Sequence, residues 1–285
     1  MLNLAIAGLT AGVAYAALGL CLVLTHYISN LINVSQAIVG GIGAFVFVRL
    51  YDPHNPIWFP IIVGLLASGM LAALQGAIIA RWFADANSAA RTATTIAMGI
   101  AFLALAQRIF GYAPQVFPLL LNGSVVKLDA TNVPVATIVA VGALLLLVLG
   151  LRAAFARSRI GLRVRAVSLL PRTAEILGVR SRVLVPAVWA VSGALAMLSL
   201  LVVMPTRQAD LGAIMLLVVP ALAAALLGSM RRFEVVLIAG LGIGVIESLL
   251  LAWPEVAPYR QAVSFVVIIA GLLLGQRKVV WHEAR

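Results

Sequence analysis

The chain has 285 residues, 64% of them apolar and 10% charged, with a net charge of +11 and a mean hydropathy of +1.13. Ordinary soluble domains are about 45–50% apolar and about 25% charged, and they need a polar skin that this composition does not supply. A soluble fold is excluded, and the chain reads as an all-α, polytopic membrane protein. Eighteen of the 20 basic residues are Arg, most of them in short connectors between apolar runs. That placement suits the cytoplasmic face of a bilayer and its lipids; it does not suit a nucleic-acid groove. The one cysteine, Cys21, excludes an intramolecular disulfide and a Cys-based metal site. An apolar run begins by Leu4 and continues, so no cleavable signal peptide is expected.

A helix needs about 20 apolar residues to cross the hydrocarbon core. Nine runs are predicted to do so, at about 4–24, 32–50, 57–80, 92–113, 134–151, 183–204, 211–229, 233–252 and 259–275, with eight or ten compatible with their soft edges. A barrel would need alternating segments of about ten residues, which are missing. With the N-terminus outside, 15 of the 20 Arg and Lys fall in inside loops and five outside, as the positive-inside rule requires. The C-terminus is then cytoplasmic.

Two connectors stand out by length. Residues 114–133 form an external loop punctuated by Pro, Asn and Gly. Residues 152–182 form a cytoplasmic loop with eight Arg and one acid, Glu175. The octets IAGLTAGV (6–13) and IAGLGIGV (238–245) agree at six of eight positions, either an internal repeat or two alike Gly-rich packing faces.

Catalytic constellations are missing from the sequence. His26, His54 and His282 lie in different connectors, and no Gly-rich loop precedes Lys127 or Lys278 to cradle a nucleotide. Glu247 is the one acid well inside a predicted span, fewer ionisable groups than ion-coupled carriers ordinarily use. The energy for transport is therefore expected from another subunit.

The cytoplasmic loop is the most informative stretch. A basic run follows Ser158, Arg159 and Gly161, then a short amphipathic segment ends at Leu177 and Gly178, where Gly suits a helix C-cap. Loops beyond about 12–15 residues are usually functional or disordered. A basic loop contacting anionic lipid is the plain alternative to a helix that docks on a soluble partner.

This loop resembles the cytoplasmic coupling loop of the branched-chain amino acid (Liv-type) permeases of ATP-binding-cassette importers. The shared pattern is Ser158, Arg159, Ile160, Gly161, Arg165, Ala166, Ala174, Leu177 and Gly178. Leu169, Leu170 and Pro171 stand where the family commonly has an acidic or polar pair, and Pro171 suits the first turn of a docking helix. The likeness extends to Gly8, Gly12 and Tyr15 in the first span and to Ile32, Asn33, Gly43 and Ala44 in the second. It continues through Gly228, Gly240, Gly244 and Glu247 near the end. Val34, Ser35, Gln36 and Ala37 depart from the family, and its Gly-rich turn is reduced here to Ser229, Met230, Arg231 and Arg232.

The resemblance implies one transmembrane permease domain over 1–285, in a bacterial inner membrane. It implies a second permease, related or identical, two cytoplasmic ATPases and an external substrate-binding protein. ATP and Mg would be held by the ATPases, with no cofactor and no enzymatic activity in this chain. The coupling loop would act through Arg159, Gly161, Arg165, Ala166, Pro171, Ala174, Glu175, Leu177 and Gly178. Aliphatic amino acids are the implied substrates; an amide, urea, small organic acid or sugar is the nearer alternative, and an ion-coupled carrier the more distant one.

The candidate substrate path is Asn33, Ser35, Gln36, Thr95 and Glu247. Asn33, Ser35 and Gln36 open an apolar span, either as a helix start facing a cavity or as an interfacial cap. Thr92, Thr94 and Thr95 either line the path or bond back to their own helix. Arg108 either snorkels to the interface or pairs with Glu247. Arg207, Gln208 and Asp210 form an external turn open to a binding protein or to solvent.

Overall fold

A computed structural model describes residues 1–118, 125–128, 131–206 and 210–283. Helix α1 (Leu2–Ser29) is apolar on every side and buried without interruption from Thr10 to Thr25. Neighbouring helices enclose it over that stretch, and α1 is the axis of the bundle. Against it pack α5 (Val135–Arg157), α8 (Ser181–Val203), α10 (Val218–Leu227) and α11 (Phe233–Leu249). A second layer joins α2 (Gln36–Leu50), α3 (Trp58–Trp82) and α8, with α4 (Ser88–Phe110) and α9 (Leu211–Leu216) beside α2. Between α5 and α8 lie α6 (Arg159–Leu169) and α7 (Pro171–Ile176), and α12 (Ala262–Glu283) follows α11.

The buried faces follow small residues, because lipid is as apolar as Leu and cannot select a hydrophobic stripe. On α3 the buried set includes Gly64, Ser68, Gly69, Ala72 and Gly76, while Ile62, Leu66, Met70 and Leu74 point outward. The two similar octets pack against each other as antiparallel partners. A Cβ on Gly8 would meet the Gly244 carbonyl and Val245 Cα at 2.7 Å, and one on Gly240 would meet Ala16 at 2.5 Å. Their likeness is explained by the shared need for close approach.

Among the described residues six helices are long and apolar enough to cross a membrane: α1, α3, α4, α5, α8, and α11 with its extension to Ala252. Three shorter apolar stretches, 36–50, 211–227 and 262–273, fall below that length. Two expectations are corrected. The predicted second span starts four residues late, at Gln36, because Asn30 ends α1 in the left-handed conformation and Leu31–Ser35 is not helical. The 114–133 connector contains a strand, β1 (Val125–Leu128), paired antiparallel with β2 (Thr131–Pro134), Val126 opposite Val133. The β-branched residues there suit a pleated pair, and turn punctuation alone did not reveal it.

The Arg-rich connectors share one end of the bundle. Arg91 donates to the carbonyls of Phe83 at 3.0 Å, Ala84 at 2.5 Å and Ser29 at 3.1 Å, tying the α3–α4 connector to the end of α1. Phe155 stacks edge-on against both Tyr27 and Phe233, and Arg152 pairs with Glu234 at 2.7 Å. At this end the α10–α11 turn holds Ser229 and Met230 at φ of 52° and 53°, a conformation L residues avoid. The Met230 N–H to Ala225 and Ser229 N–H to Leu226 bonds close it as a Schellman turn. Ser229→Gly is expected to stabilise the protein by about 0.5–1 kcal/mol, read as a higher melting temperature in detergent. A lower melting temperature would contradict the strain.

Candidate functional site

The break between α1 and α2 is a polar seam inside an apolar bundle. Asn33, Ser35, Gln36, Gln75, Thr95 and Ser192 are all buried to 1% exposure or less. All of these except Thr95 join one continuous line of hydrogen bonds, which passes through the Ser192 backbone carbonyl. The Gln75 amide donates to Ser35 Oγ at 2.8 Å, and Ser35 Oγ donates to Asn33 Oδ1 at 2.6 Å. Asn33 Nδ2 donates to Gln36 Oε1 at 2.8 Å, and Gln36 Nε2 donates to the Ser192 carbonyl at 3.0 Å. Ser192 Oγ then donates to the Cys21 carbonyl at 3.0 Å. The line joins α3, the break, α2, α8 and α1.

The unwound backbone has its own partners. The Ile32 N–H donates to Thr92 Oγ1 and the Val34 N–H to Thr95 Oγ1, both at 3.2 Å. Non-helical backbone at membrane depth is tolerated only where protein or a cavity satisfies it, and α4 supplies that. Thr95 Oγ1 also bonds back to the Thr92 carbonyl of its own helix at 2.8 Å, and Thr94 Oγ1 to the Ala90 carbonyl at 2.9 Å. In this conformation Asn33, Ser35 and Gln36 sit in the packed interior. Helix α2 begins there and has 15 residues, about 22 Å at 1.5 Å each, shorter than a hydrocarbon core of about 30 Å.

Glu247 lies elsewhere, on α11 facing α1 and α12, and is 7% exposed. Tyr15 Oη donates to its Oε2 at 2.8 Å and Ser264 Oγ to its Oε1 at 3.0 Å. Of the two alternatives for Arg108, the pairing with Glu247 is not formed: Arg108 is exposed on α4, which packs on α2, α3 and α9. Asp210 caps α9, accepting from the Ala213 N–H at 2.8 Å, while Arg207 and Gln208 lie outside the described residues. Gln75, Ser192, Tyr15 and Ser264 were not among the expected site residues. A lone amide in the apolar run LAALQGAII was the available signal for Gln75.

The cytoplasmic connector folds as two helices, where the sequence suggested a basic run followed by one short helix. Ser158 caps α6, its Oγ accepting from the Gly161 N–H at 2.9 Å. A Cβ on Gly161 would meet the Ala154 carbonyl at 2.5 Å and Phe155 Cα at 2.6 Å, so only Gly lets α6 fold back on α5. The Ser-x-x-Gly spacing is thus a cap plus a close approach. Pro171 is the first residue of α7, as expected. Gly178 has φ of +85° and closes the Schellman turn through Gly178 N–H to Glu175 and Val179 N–H to Ala174. Glu175 accepts from Ser181 Oγ.

One part of the loop reading changes. Ala174 was expected in a partner's groove, but it is 2% exposed and packs with Val164, Val167, Val185 and Trp189. The outward apolar surface is Ile176 and Leu177, at 84% and 77% exposure, with Leu169 and Leu170 before them. Arg159 is exposed, Ala166 is half-buried against the same cluster, and Arg165 Nε is buried without an acceptor among the described residues.

The family model described as "Branched-chain amino acid transport system / permease component" matches residues 4–272. The chain belongs to this family. No curated protein matches it. Among solved structures, PsaBC from Streptococcus pneumoniae in complex with Fab is similar with a TM-score of 0.50 and 15% identity. The likeness spans 95% of this permease and 90% of that chain, and shows a shared fold. As a branched-chain amino acid transport permease, the protein is a multi-pass membrane protein whose work is transport.

Proposed function

We propose that this permease is one membrane subunit of a bacterial ATP-binding-cassette importer, carrying small polar solutes of the aliphatic amino acid class. The observation that carries the reading is the α6–α7 unit. A capped, Gly-closed pair of helices holds Ile176 and Leu177 bare at the Arg-rich end of the bundle. An exposed apolar pair in a short, rigid helix is what a groove on a soluble partner would cover.

In this reading the chain makes nine passes with its N-terminus outside, the shorter helices crossing with help from their connectors. A second permease, two ATPases that bind ATP–Mg, and an external binding protein complete the assembly. Closure of the ATPases on ATP pulls α7, and α7 moves α8 and α6 with it through Ala174 and Val185. The Ser192 carbonyl on α8 accepts the Gln36 bond of the polar seam, so the same motion loads the seam at Gln36 and opens a path beside α2. Unwound segments of this kind form substrate sites in transporters built from broken helices.

Gln36→Leu is expected to leave the Asn33 amide and the Ser192 carbonyl short of a partner, a cost of about 1–3 kcal/mol. Uptake should fall while assembly with the ATPases persists; unchanged uptake would remove the seam from the path. The assembly itself is tested by purifying the tagged permease from its native membrane and identifying the stoichiometric chains by mass. Two copies of an ATPase and a second permease are expected. A permease that purifies alone from membranes still competent in uptake would contradict the reading.

A further inference from the structure

A cavity of about 260 Å³ opens between α1, the α9–α10 junction, α11 and the start of α12. Glu247 stands at one side of it, held by the Tyr15 and Ser264 hydroxyls. Hydroxyl donors orient a carboxylate without supplying a counter-charge. Among the described residues no Arg, Lys or His comes within ion-pair distance of it. An acid inside a spanning helix ordinarily has a cationic partner or a ligand.

Arg260 and Gln261 form another side of the same cavity. Arg260 shares the space with Glu247 yet is more than 4.0 Å from it, so a gap separates the two charges. The remaining wall is apolar, with Leu217, Val219 and Phe265. The cavity is smaller than the roughly 300–1,000 Å³ of pockets for drug-sized ligands. One anion, one cation across a gap and an aliphatic wall describe a particular kind of guest.

We infer that this cavity binds a zwitterionic aliphatic α-amino acid. Its ammonium sits on Glu247, its carboxylate on Arg260, and its side chain against Leu217, Val219 and Phe265. The inference rests on the importer reading above and adds to it where the guest is held and by which ends. A sugar would leave both charges unmet, and a monocarboxylate or a simple amine would meet one of them.

The test is equilibrium binding of labelled leucine to the assembled permease–ATPase complex in nanodiscs without nucleotide. Unlabelled leucine, leucinamide and 4-methylpentanoate serve as competitors. Wild type is expected to bind leucine saturably at up to millimolar concentration, with leucinamide and 4-methylpentanoate competing poorly. Glu247→Gln should weaken leucine about tenfold or more and raise the relative affinity of 4-methylpentanoate. Arg260→Gln should do the same in favour of leucinamide. Arg260 is exposed, so its variant decides the matter if Glu247→Gln does not assemble. Wild-type affinity and ligand preference in the variants would overturn the inference. So would the absence of leucine binding in a complex that still imports leucine with ATP, an outcome that leaves the importer reading standing. A complex that neither binds nor imports any aliphatic amino acid would remove both.

Discussion

Gly244→Ala is expected to be among the most damaging single methyl groups that this bundle can receive. The added Cβ would lie 2.4 Å from Gly12 N, 2.5 Å from Gly12 Cα and 2.5 Å from the Gly8 carbonyl. All three are backbone atoms, which cannot rotate away, so α1 and α11 would have to separate. Overpacking of this kind costs about 1–3 kcal/mol and more where nothing yields. Because α1 is the axis of the bundle, the separation also strains the Tyr15–Glu247 bond that spans the same crossing. Gly242, two residues earlier, is the internal control: a Cβ there meets nothing within 4 Å. Gly242→Ala should be neutral or slightly stabilising, since Ala favours a helix over Gly by about 1 kcal/mol. Thermal unfolding of the two variants in detergent separates them, and equal melting temperatures would deny the close crossing.

Ala174→Glu and Ile176→Glu should fail by different routes, although the residues are two apart on α7. Ala174 is buried in the apolar cluster that includes Val164, Val167 and Val185, so a glutamate there places a charge among apolar groups without a partner. A buried, uncompensated charge costs several kcal/mol, and the variant should lose protein yield or melt early. Ile176 is 84% exposed, so a glutamate there costs the isolated permease little. In the assembly it would sit desolvated against the ATPase. Ile176→Glu should therefore fold and insert as wild type but lose bound ATPase and stimulated ATP hydrolysis. Gly178→Val belongs with the first group, because φ of +85° excludes a β-branched residue even though the space around it is open. If Ile176→Glu keeps its ATPase and its transport, α7 is not the docking element.

Much of this fold was legible from residue spacing, and what was missed has a common cause. Apolar length marked α3, α4 and α8 to within about four residues but ended α1 and α5 several residues early, and Pro171 and Gly178 marked the ends of α7. The start of α2 was misplaced because Leu31–Val34 is as apolar as a helix interior, and the left-handed Asn30 that precedes it leaves no hydropathy signal. Which side of each helix is buried was not readable from hydrophobic contrast, since both lipid and core are apolar. Gly8, Gly12, Gly240 and Gly244 were visible as similar octets, but their role as facing partners required the crossing itself. Asn33, Ser35 and Gln36 stood out as a polar patch; Gln75 and Ser192, which complete their hydrogen bonds, are single polar residues on distant helices. Glu247 was visible as a lone intramembrane acid, whereas Tyr15 and Ser264 are 232 and 17 residues away from it. Ala174 was placed outward because six residues of helix give too little periodicity to assign a face.

The source of energy for transport is the central claim, and a reconstituted system addresses it most directly. The purified complex, with its binding protein outside and ATP–Mg enclosed with the ATPases, is loaded into proteoliposomes and given labelled leucine. Uptake is followed with proton and sodium gradients dissipated by ionophores. Accumulation that requires ATP, persists without ion gradients and is lost in Ile176→Glu is the predicted result. Accumulation that proceeds without ATP and collapses with the ionophores would contradict the account.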